Sequence, residues 1–411
     1  MPVDRQPPSP SPHPGSPREV FAAFLKLGCT AFGGPIAHLG YFQREFVVRR
    51  RWIDDHAYAD FVALCQFLPG PTSSQVGLAL GWKRAGWRGA LAAWVAFTAP
   101  SAILMFLFAC GIARAGNLAS AGWVSGLKIA AAAVVFQAVI AMARKLCPDL
   151  PRAAIAVAAT AALLLWPFSW MQLAILALGA LAGLTVLSSS RLETRNPKLE
   201  TSFPQLETRN SKLVTTSLLL PFLTLLFALP WLARLWPIPA LQVFSSFYRT
   251  GSLVFGGGHV VLPLLEKATV ARGWIDHNTF LAGYGAAQAL PGPLFTFSVY
   301  LGALIPPGGL FGALLALVAI YIPTVFLLFG TLPHWERLRA APSARALLAG
   351  ANAVVVGLLA AAFYSPICVT TITSPGRLLF ALLAYAALEF LRAPPWLVVL
   401  ACALTGQLAL K

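Results

Sequence analysis

The stretch FYRTGSLVFGGGHVVLPLL at residues 247–265 repeats the pattern of FLKLGCTAFGGPIAHLGYF at residues 24–42. The two stretches are 223 positions apart (247 − 24). Each begins with an apolar run that carries one cation, Arg249 or Lys26, and each is interrupted by consecutive glycines. Self-similarity over such a long separation predicts two copies of one structural unit.

The duplication continues downstream of these stretches. WIDD at 52–55 and QFLPGP at 66–71 recur as WIDH at 274–277 and QALPGP at 288–293, at an offset of 222 (274 − 52). The aspartate of each WID motif is typical of a helix N-cap. The same motifs therefore follow in the same order and at nearly the same spacing in both halves.

The composition indicates an all-α polytopic membrane protein. Of the 411 residues, 58% are hydrophobic and 11% are charged, and the mean hydropathy is +0.73. A soluble globular chain carries about 25% charged residues. The net charge is +16, but the basic residues lie between the apolar runs. This pattern indicates membrane orientation and gives no indication of a nucleic-acid partner.

Glycine and proline interrupt the first two apolar segments of each half, and about four cleaner spans follow. Pro100 and Pro323 occupy the same place in the next span of each half. The apolar stretch at 217–237 has no counterpart, and one extra crossing between two equal halves inverts the second half. We therefore predict an inverted-repeat membrane fold with broken or re-entrant helical segments. The predicted organisation is a disordered Pro/Ser-rich tail at 1–18, a first repeat at 19–190, a low-complexity linker at 191–216, a connecting span at 217–237 and a second repeat at 241–411.

The basic residues favour one arrangement of the broken segments. If these segments are re-entrant hairpins, the basic clusters at 44–51, 83–88 and 144–152 share one side of the membrane with the linker. The positive-inside rule makes that side cytoplasmic. If the segments are full spans, the cluster at 44–51 moves outside, which fits the rule less well. We predict hairpins, and either arrangement leaves the halves inverted.

Breaks in an apolar run free backbone N–H and C=O groups, which a membrane tolerates only where protein or a water-filled cavity surrounds them. Four breaks at matched positions therefore predict a central polar site. Helix N-termini and hydroxyl groups at such a site suit an anion. The glutamines before the proline breaks either contact the substrate or satisfy freed backbone groups. The candidate binding residues at the breaks are Gly33, Gly34, Gln66, Pro69, Gly70, Pro71, Thr72, Ser73, Gly256, Gly257, Gln288, Pro291, Gly292, Pro293 and Thr296.

Lys26 and Arg249 are matched cations in apolar surroundings. An intramembrane cation is a candidate functional residue, and two cations brought together by pseudo-symmetry would bind a divalent oxyanion. The alternative is that each side chain extends to a membrane interface or pairs with a carboxylate.

Four further residues are candidates for proton coupling. Glu45 and Glu266 each follow a glycine break, and each either carries a coupling proton or neutralises a neighbouring base. His38 and His259 lie just after the glycine runs, and each is either a proton relay or a hydrogen-bonded interior group.

The sequence indicates no cofactor and no metal. It contains no P-loop and no Rossmann fingerprint. The six cysteines form no CxxC pair and no metal-ligand spacing. No HExxH or GxSxG motif is present, so an enzyme is not predicted.

The paired motifs identify a resemblance. FGGPIAHLGYFQREFV with a downstream QFLPGP, repeated as FGGGHVVLPLLE with QALPGP, resembles the chromate ion transporter family in its long, two-domain form. The resemblance covers about 20–190 and 243–411. It implies a multi-pass protein of the bacterial inner membrane that exports chromate and confers chromate resistance.

Two other functions stay open beside chromate export. One is uptake or exchange of sulfate or another oxyanion on the same fold, with sulfate as a competitor of chromate. The other is an anion channel. The expected drive is the membrane potential, with or without proton coupling, and the expected partners are the oxyanion, the lipid bilayer and a second copy in a homodimer.

Overall fold

The computed structural model describes residues 15–114, 122–166, 171–187, 217–255 and 260–409, and within these ranges the chain is helical without strands. The helices of the first repeat are Pro17–Thr30 (α1), Gly34–Phe42 (α2), Asp55–Phe67 (α3), Thr72–Arg114 (α4), Gly122–Leu146 (α5), Leu150–Leu165 (α6) and Met171–Ala182 (α7).

Leu219–Leu235 (α8) connects the repeats. The helices of the second repeat are Pro239–Leu253 (α9), Val261–Thr269 (α10), His277–Gln288 (α11), Phe297–Leu304 (α12), Gly309–Thr331 (α13), Trp335–Ala340 (α14), Pro342–Ala362 (α15), Pro375–Glu389 (α16) and Pro395–Ala409 (α17). The predicted linker at 191–216 and residues 1–14 of the predicted tail lie outside the described residues. α1 begins at Pro17, inside the tail predicted at 1–18.

The helix starts follow from capping and from the breaks. Asp54 accepts a hydrogen bond from Ala57 N at 2.8 Å, and Asp276 accepts one from Thr279 N at 2.9 Å. Both WID aspartates are therefore N-caps, as predicted. α2 begins directly after Gly33, which has a φ of +100°.

Several described helices have the length and composition of membrane spans. Four are long and apolar enough to cross a bilayer: Thr72–Arg114, Gly122–Leu146, Gly309–His334 and Pro342–Thr371. α4 bends at Ala85 and Gly86, which leave helical geometry. The part of α4 after this bend is about 42 Å long at 1.5 Å per residue. Shorter apolar helices occupy the other predicted spans, among them α6, α8 and α17.

The ends of the broken segments of the first repeat meet at one place. Glu19, in the first turn of α1, accepts a hydrogen bond from Trp52 Nε1 at 3.0 Å and pairs with Arg84 at 3.1 Å. Trp52 ends the first broken segment, and Arg84 ends the second. Both ends thus lie beside the start of α1, and we call this side of the molecule the α1 side.

The second repeat is inverted relative to the first. α3 begins on the α1 side, because Trp52 precedes it. Its equivalent, α11, begins on the opposite side, because Asn278 accepts a hydrogen bond at 3.0 Å from Lys128. Lys128 lies near the start of α5, on the side of the molecule where α4 ends. The predicted inverted arrangement of two homologous halves is therefore the observed one.

The two halves also interlock. α5 of the first repeat packs against α16 and α17 of the second, and α15 of the second packs against α6 and α7 of the first. Small residues allow both contacts: Gly126 faces the backbone of Cys402, and Gly350 faces the backbone of Gly179. Such close backbone approach is typical of helix packing in membranes.

Candidate functional site

The proline break of each half meets the other half at an equivalent place. Gly70 N donates to Val254 O at 2.6 Å, and Gly292 N donates to Ala31 O at 2.9 Å. The acceptors are 223 residues apart (254 − 31) and the donors 222 (292 − 70). The two bonds are therefore related by the pseudo-two-fold symmetry of the repeats. Each satisfies a backbone group that a break has freed.

Only glycine fits at the two donors. Gly70 has a φ of +125° and Gly292 a φ of +97°, which side chains rarely adopt. A Cβ at Gly70 would lie 2.7 Å from Gln75 Nε2 and 3.1 Å from Thr324 Oγ1. A Cβ at Gly292 would lie 2.9 Å from Ser101 Oγ. The backbone at each break is therefore packed against polar side chains.

Several of the buried polar atoms in this region have no partner. Among the described residues, no hydrogen bond reaches Gln75 Oε1, Ser298 Oγ or Thr324 Oγ1. A buried polar group without a partner costs about 1–3 kcal/mol. Such groups in a native protein point to a bound water or ligand. We call Gly70 and Gly292, together with these three residues of the break regions, the central site.

The predicted hydroxyl residues are already engaged in part. Ser73 Oγ lies 3.3 Å from His38 Nδ1, and Thr296 Oγ1 donates to Pro293 O at 2.9 Å. Thr72 begins α4 and is buried. Of these three, Thr296 donates its hydroxyl proton within its own turn. Its oxygen can therefore only accept a further hydrogen bond.

The prolines of the breaks end helices rather than line the site with polar groups. Pro69 O accepts a hydrogen bond from Gln75 Nε2 at 2.8 Å. Gln66, predicted to contact substrate or satisfy the backbone, is exposed on α3. The side chain of Gln75 satisfies the backbone carbonyl of Pro69 instead. Gln288 is half-buried. Pro71, Pro291 and Pro293 lie in the turns that precede the next helices.

The structure gives the two matched cations different surroundings. Arg249 is half-buried and lines a cavity of about 160 Å³ between helices of the second repeat and α6 and α7 of the first. Lys26 is exposed on α1 and is not among the residues that line this cavity. The structure therefore does not bring the two cations into one cavity.

The candidate coupling residues have partners. Glu45 pairs with Arg49 at 2.8 Å and with Arg50 at 2.7 Å. Glu266 lies 3.1 Å from His277 Nδ1.

His38 is buried, and its Nε2 lies 3.1 Å from Ala31 O. This carbonyl also accepts the hydrogen bond of Gly292, so His38 adjoins the central site. Gly33 and Gly34 lie at the start of α2 with positive φ. Gly256, Gly257 and His259 lie outside the described residues.

Sequence reasoning missed Tyr321 and the two polar residues that follow the prolines of the long spans. Ser74 Oγ lies 3.4 Å from the Tyr321 hydroxyl, which joins α4 to α13 across the central site. Ser101 and Thr324 each follow a matched proline by one residue, at an offset of 223 (324 − 101). The presence of polar residues at matched positions after Pro100 and Pro323 could have identified Ser101 and Thr324 from the sequence.

These features define a class. A helical membrane protein of two inverted, interlocked repeats, with broken helices meeting at a polar centre, has the architecture of a membrane transporter. Comparison with known proteins gives the family: the profile described as chromate transporter matches residues 18–184 and 241–407. The chain belongs to this family, which is one of membrane transporters and not of enzymes.

Curated relatives extend over most of the chain. A chromate transport protein of Pseudomonas aeruginosa is 28% identical over 97% of this chain and 93% of the relative. A probable chromate transport protein of Synechococcus elongatus is 27% identical over 85% of this chain and 84% of the relative. A chromate transport protein of Cupriavidus metallidurans is 25% identical over 95% of this chain and 93% of the relative. No solved structure matches the chain.

Proposed function

We propose that the protein exports chromate, or a closely related tetrahedral oxyanion, across the bacterial inner membrane. The central site carries this proposal. The hydroxyls of Ser298 and Thr324 are buried without partners and can each donate to an oxyanion. Gln75 Oε1 is an acceptor, and a bridging water would satisfy it. The names of the relatives support chromate as the ion.

The membrane potential is sufficient as the drive. Moving one charge across 100 mV is worth about 2.3 kcal/mol. A dianion that leaves a negative-inside cell therefore gains about 4.6 kcal/mol per 100 mV. Export by this route requires no bound nucleotide. Glu45 and His38 remain the candidates for an added proton.

An unequal packing of the two halves supports alternating exposure of the central site. α5 packs along α11 on the side opposite the α1 side. The equivalent helices of the other half, α15 and α3, have no comparable contact. The repeats are thus packed more closely at one pair of helices than at the equivalent pair, and such inequality is expected of one state of a transporter whose halves rock against each other.

The test is chromate flux in everted membrane vesicles that contain the protein. Energising such vesicles makes their interior positive, so an exporter should accumulate chromate inside, and vesicles without the protein should not. Collapse of the potential with valinomycin and potassium should abolish accumulation. If chromate stays outside under all conditions, the proposal is wrong. Accumulation of sulfate but not of chromate would indicate an oxyanion transporter whose substrate is sulfate.

Electrical recording distinguishes an anion channel from a transporter. A channel gives continuous currents in a planar bilayer at fixed potential. A transporter that changes conformation in each cycle gives slow flux that saturates with chromate concentration. The unequal packing of the two equivalent helix pairs favours the second outcome.

A further inference from the structure

A narrow apolar groove runs between α4 of the first repeat and α13 of the second. Its walls contain four aromatic side chains, Trp87, Trp94, Tyr321 and Phe329, and are otherwise aliphatic. The ring centres of Trp87 and Phe329 are 4.3 Å apart at one end of the groove. Those of Trp94 and Tyr321 are 5.5 Å apart further along it. The two helices are therefore antiparallel along this feature, which we call the α4–α13 groove.

The dimensions of the α4–α13 groove suit one hydrocarbon chain. Its lining extends from Val318 to Phe329 on α13, which is about 16 Å at 1.5 Å per residue. Half of a hydrocarbon core of about 30 Å is about 15 Å, so the groove spans roughly the depth of one leaflet. Its volume of about 260 Å³, divided by this length, gives a cross-section of about 16 Å².

This cross-section decides between two kinds of occupant. A helix 10 Å across has a cross-section of roughly 80 Å², so a helix of a second copy does not enter the groove. An extended hydrocarbon chain is about 4 Å wide, the contact distance between carbon atoms, and does enter it.

The groove is open to the outer surface of the protein. Leu91 and Val318, which line it, are 59% and 42% exposed. Both belong to helices that are long and apolar enough to cross a bilayer. In a membrane these side chains face lipid, so a lipid chain can enter the groove from the side.

One end of the groove carries a charge. Arg88 follows Trp87 and is exposed, and within the described part of the chain no carboxylate pairs with its guanidinium. Arg84, four residues earlier, pairs with Glu19 beside the start of α1, so this end lies on the α1 side. Tryptophan is typical of the membrane–water interface, and a basic residue there attracts the head group of an anionic lipid.

The other end of the groove reaches the central region of the protein. Tyr321 lines the groove with its ring, and its hydroxyl lies 3.4 Å from Ser74 Oγ. The groove therefore extends from a cation at the membrane interface to residues that join the two repeats. An apolar channel with a charge at its outer end matches the chemistry of a lipid with an anionic head group.

We propose that the α4–α13 groove binds one acyl chain of an anionic phospholipid, whose head group lies at Arg88. This inference goes beyond the proposed transport and holds whichever ion is carried. A chain in the groove gains van der Waals contacts from both helices, whereas a flat protein surface contacts it on one side only. Because α4 and α13 belong to different repeats, the bound chain contacts both repeats beside Tyr321.

The test is photolabelling of the whole protein in phosphatidylcholine vesicles that contain phosphatidylglycerol with a diazirine in one acyl chain. Leu107 is the matched control position, because it is on α4 and is 59% exposed like Leu91 but does not line the groove. We expect Leu91 to be labelled at least about fivefold more than Leu107, the effect of one basic residue on an anionic lipid. Equal labelling would indicate ordinary bilayer contact and would overturn the proposal. Labelling of Leu107 without Leu91 would show that protein covers the groove and would also overturn it.

Substitution of the cation tests the position of the head group. Arg88→Gln removes the charge at the end of the groove, and Arg114→Gln removes an exposed charge at the far end of α4. We expect Arg88→Gln to reduce the labelling of Leu91 about fivefold, and Arg114→Gln to be labelled like the wild type. A phosphatidylcholine probe with the same diazirine should label Leu91 no more than Leu107. Wild-type labelling of Arg88→Gln, or equal labelling by the two lipids, would refute an anionic lipid at this site.

This proposal and the proposed function fail in different ways. Photolabelling measures lipid binding and requires no transport. Absence of chromate flux together with selective labelling of Leu91 refutes the proposed function alone. Chromate flux without selective labelling refutes the lipid site alone.

Discussion

Lys128 and Asn278 join the two repeats through a hydrogen bond of 3.0 Å between Nζ and Oδ1. The equivalent residues are Asn352 and His56, at offsets of 224 (352 − 128) and 222 (278 − 56). Within the described residues these two make no such bond, and His56 is exposed. One sequence relationship thus has two structural outcomes. The first pair is hydrogen-bonded across the repeats, and the second pair is not.

Cross-linking tests whether this closure is part of transport. The six native cysteines are first replaced, and Lys128→Cys is combined with Asn278→Cys. We expect a short bifunctional thiol reagent to join these positions and to stop chromate flux in everted vesicles, because the repeats could no longer separate on that side. Reduction of a cleavable reagent should restore flux.

The matched control for this experiment is Asn352→Cys with His56→Cys. If transport alternates between the two packing arrangements, the pair at 352 and 56 should react only in molecules in which positions 128 and 278 have separated. Chromate should therefore change the yields of the two cross-links in opposite directions. Full transport by protein cross-linked at 128 and 278 would contradict the rocking arrangement.

The glycines of the proline breaks should tolerate no side chain. Gly70→Ala and Gly292→Ala each combine a positive φ, which costs alanine about 1–2 kcal/mol, with a close contact to a polar side chain. We expect both to reduce chromate flux to background. Gly86→Ala is the control, since Gly86 has a φ of +61° but no neighbour within 4 Å of its Cβ position. Equal losses in all three would show that backbone strain alone explains the effect.

The duplication made the meeting of the breaks predictable. Matched breaks in an apolar chain need partners, and the partner of Gly70 is a carbonyl of the other half, at Val254. The residues that surround the breaks were harder to predict, because they depend on which face of a helix packs inward. Gln66 adjoins a break in the sequence but is exposed on α3, whereas Gln75 reaches Pro69 O from the first turn of α4.

Sequence symmetry also predicts equal surroundings for equivalent residues, and here it misleads. Lys26 and Arg249 are equivalent, but α10 packs against α15, and α2 has no comparable contact with α5. The second copy therefore encloses its cation and the first leaves its cation exposed. The repeat in the sequence makes the two cations equivalent, but in a single conformation of the protein each has its own surroundings.

Thr324 should separate stability from transport. Its hydroxyl is buried without a partner, so Thr324→Val removes an unsatisfied group. We expect unchanged or higher thermal stability, by about 1 kcal/mol at most, together with reduced chromate flux. Thr331→Val is the control on the same helix, because the Thr331 hydroxyl already donates to Leu327 O at 2.6 Å. That variant should keep its flux, and a loss confined to Thr331→Val would argue against the central site.

Lys26→Ala and Arg249→Ala test whether the two matched cations act as one site. A shared site for one dianion predicts equal losses of flux. The structure favours unequal losses, because Arg249 lines an enclosed cavity and Lys26 is exposed to solvent or lipid. Removing a charge from the cavity forfeits a charge-assisted interaction of about 1.5–3 kcal/mol, so Arg249→Ala should reduce chromate flux at least about tenfold. Lys26→Ala should reduce it less. Equal and severe losses, with both proteins inserted at wild-type levels, would mean that the cations come together in another state of the transport cycle.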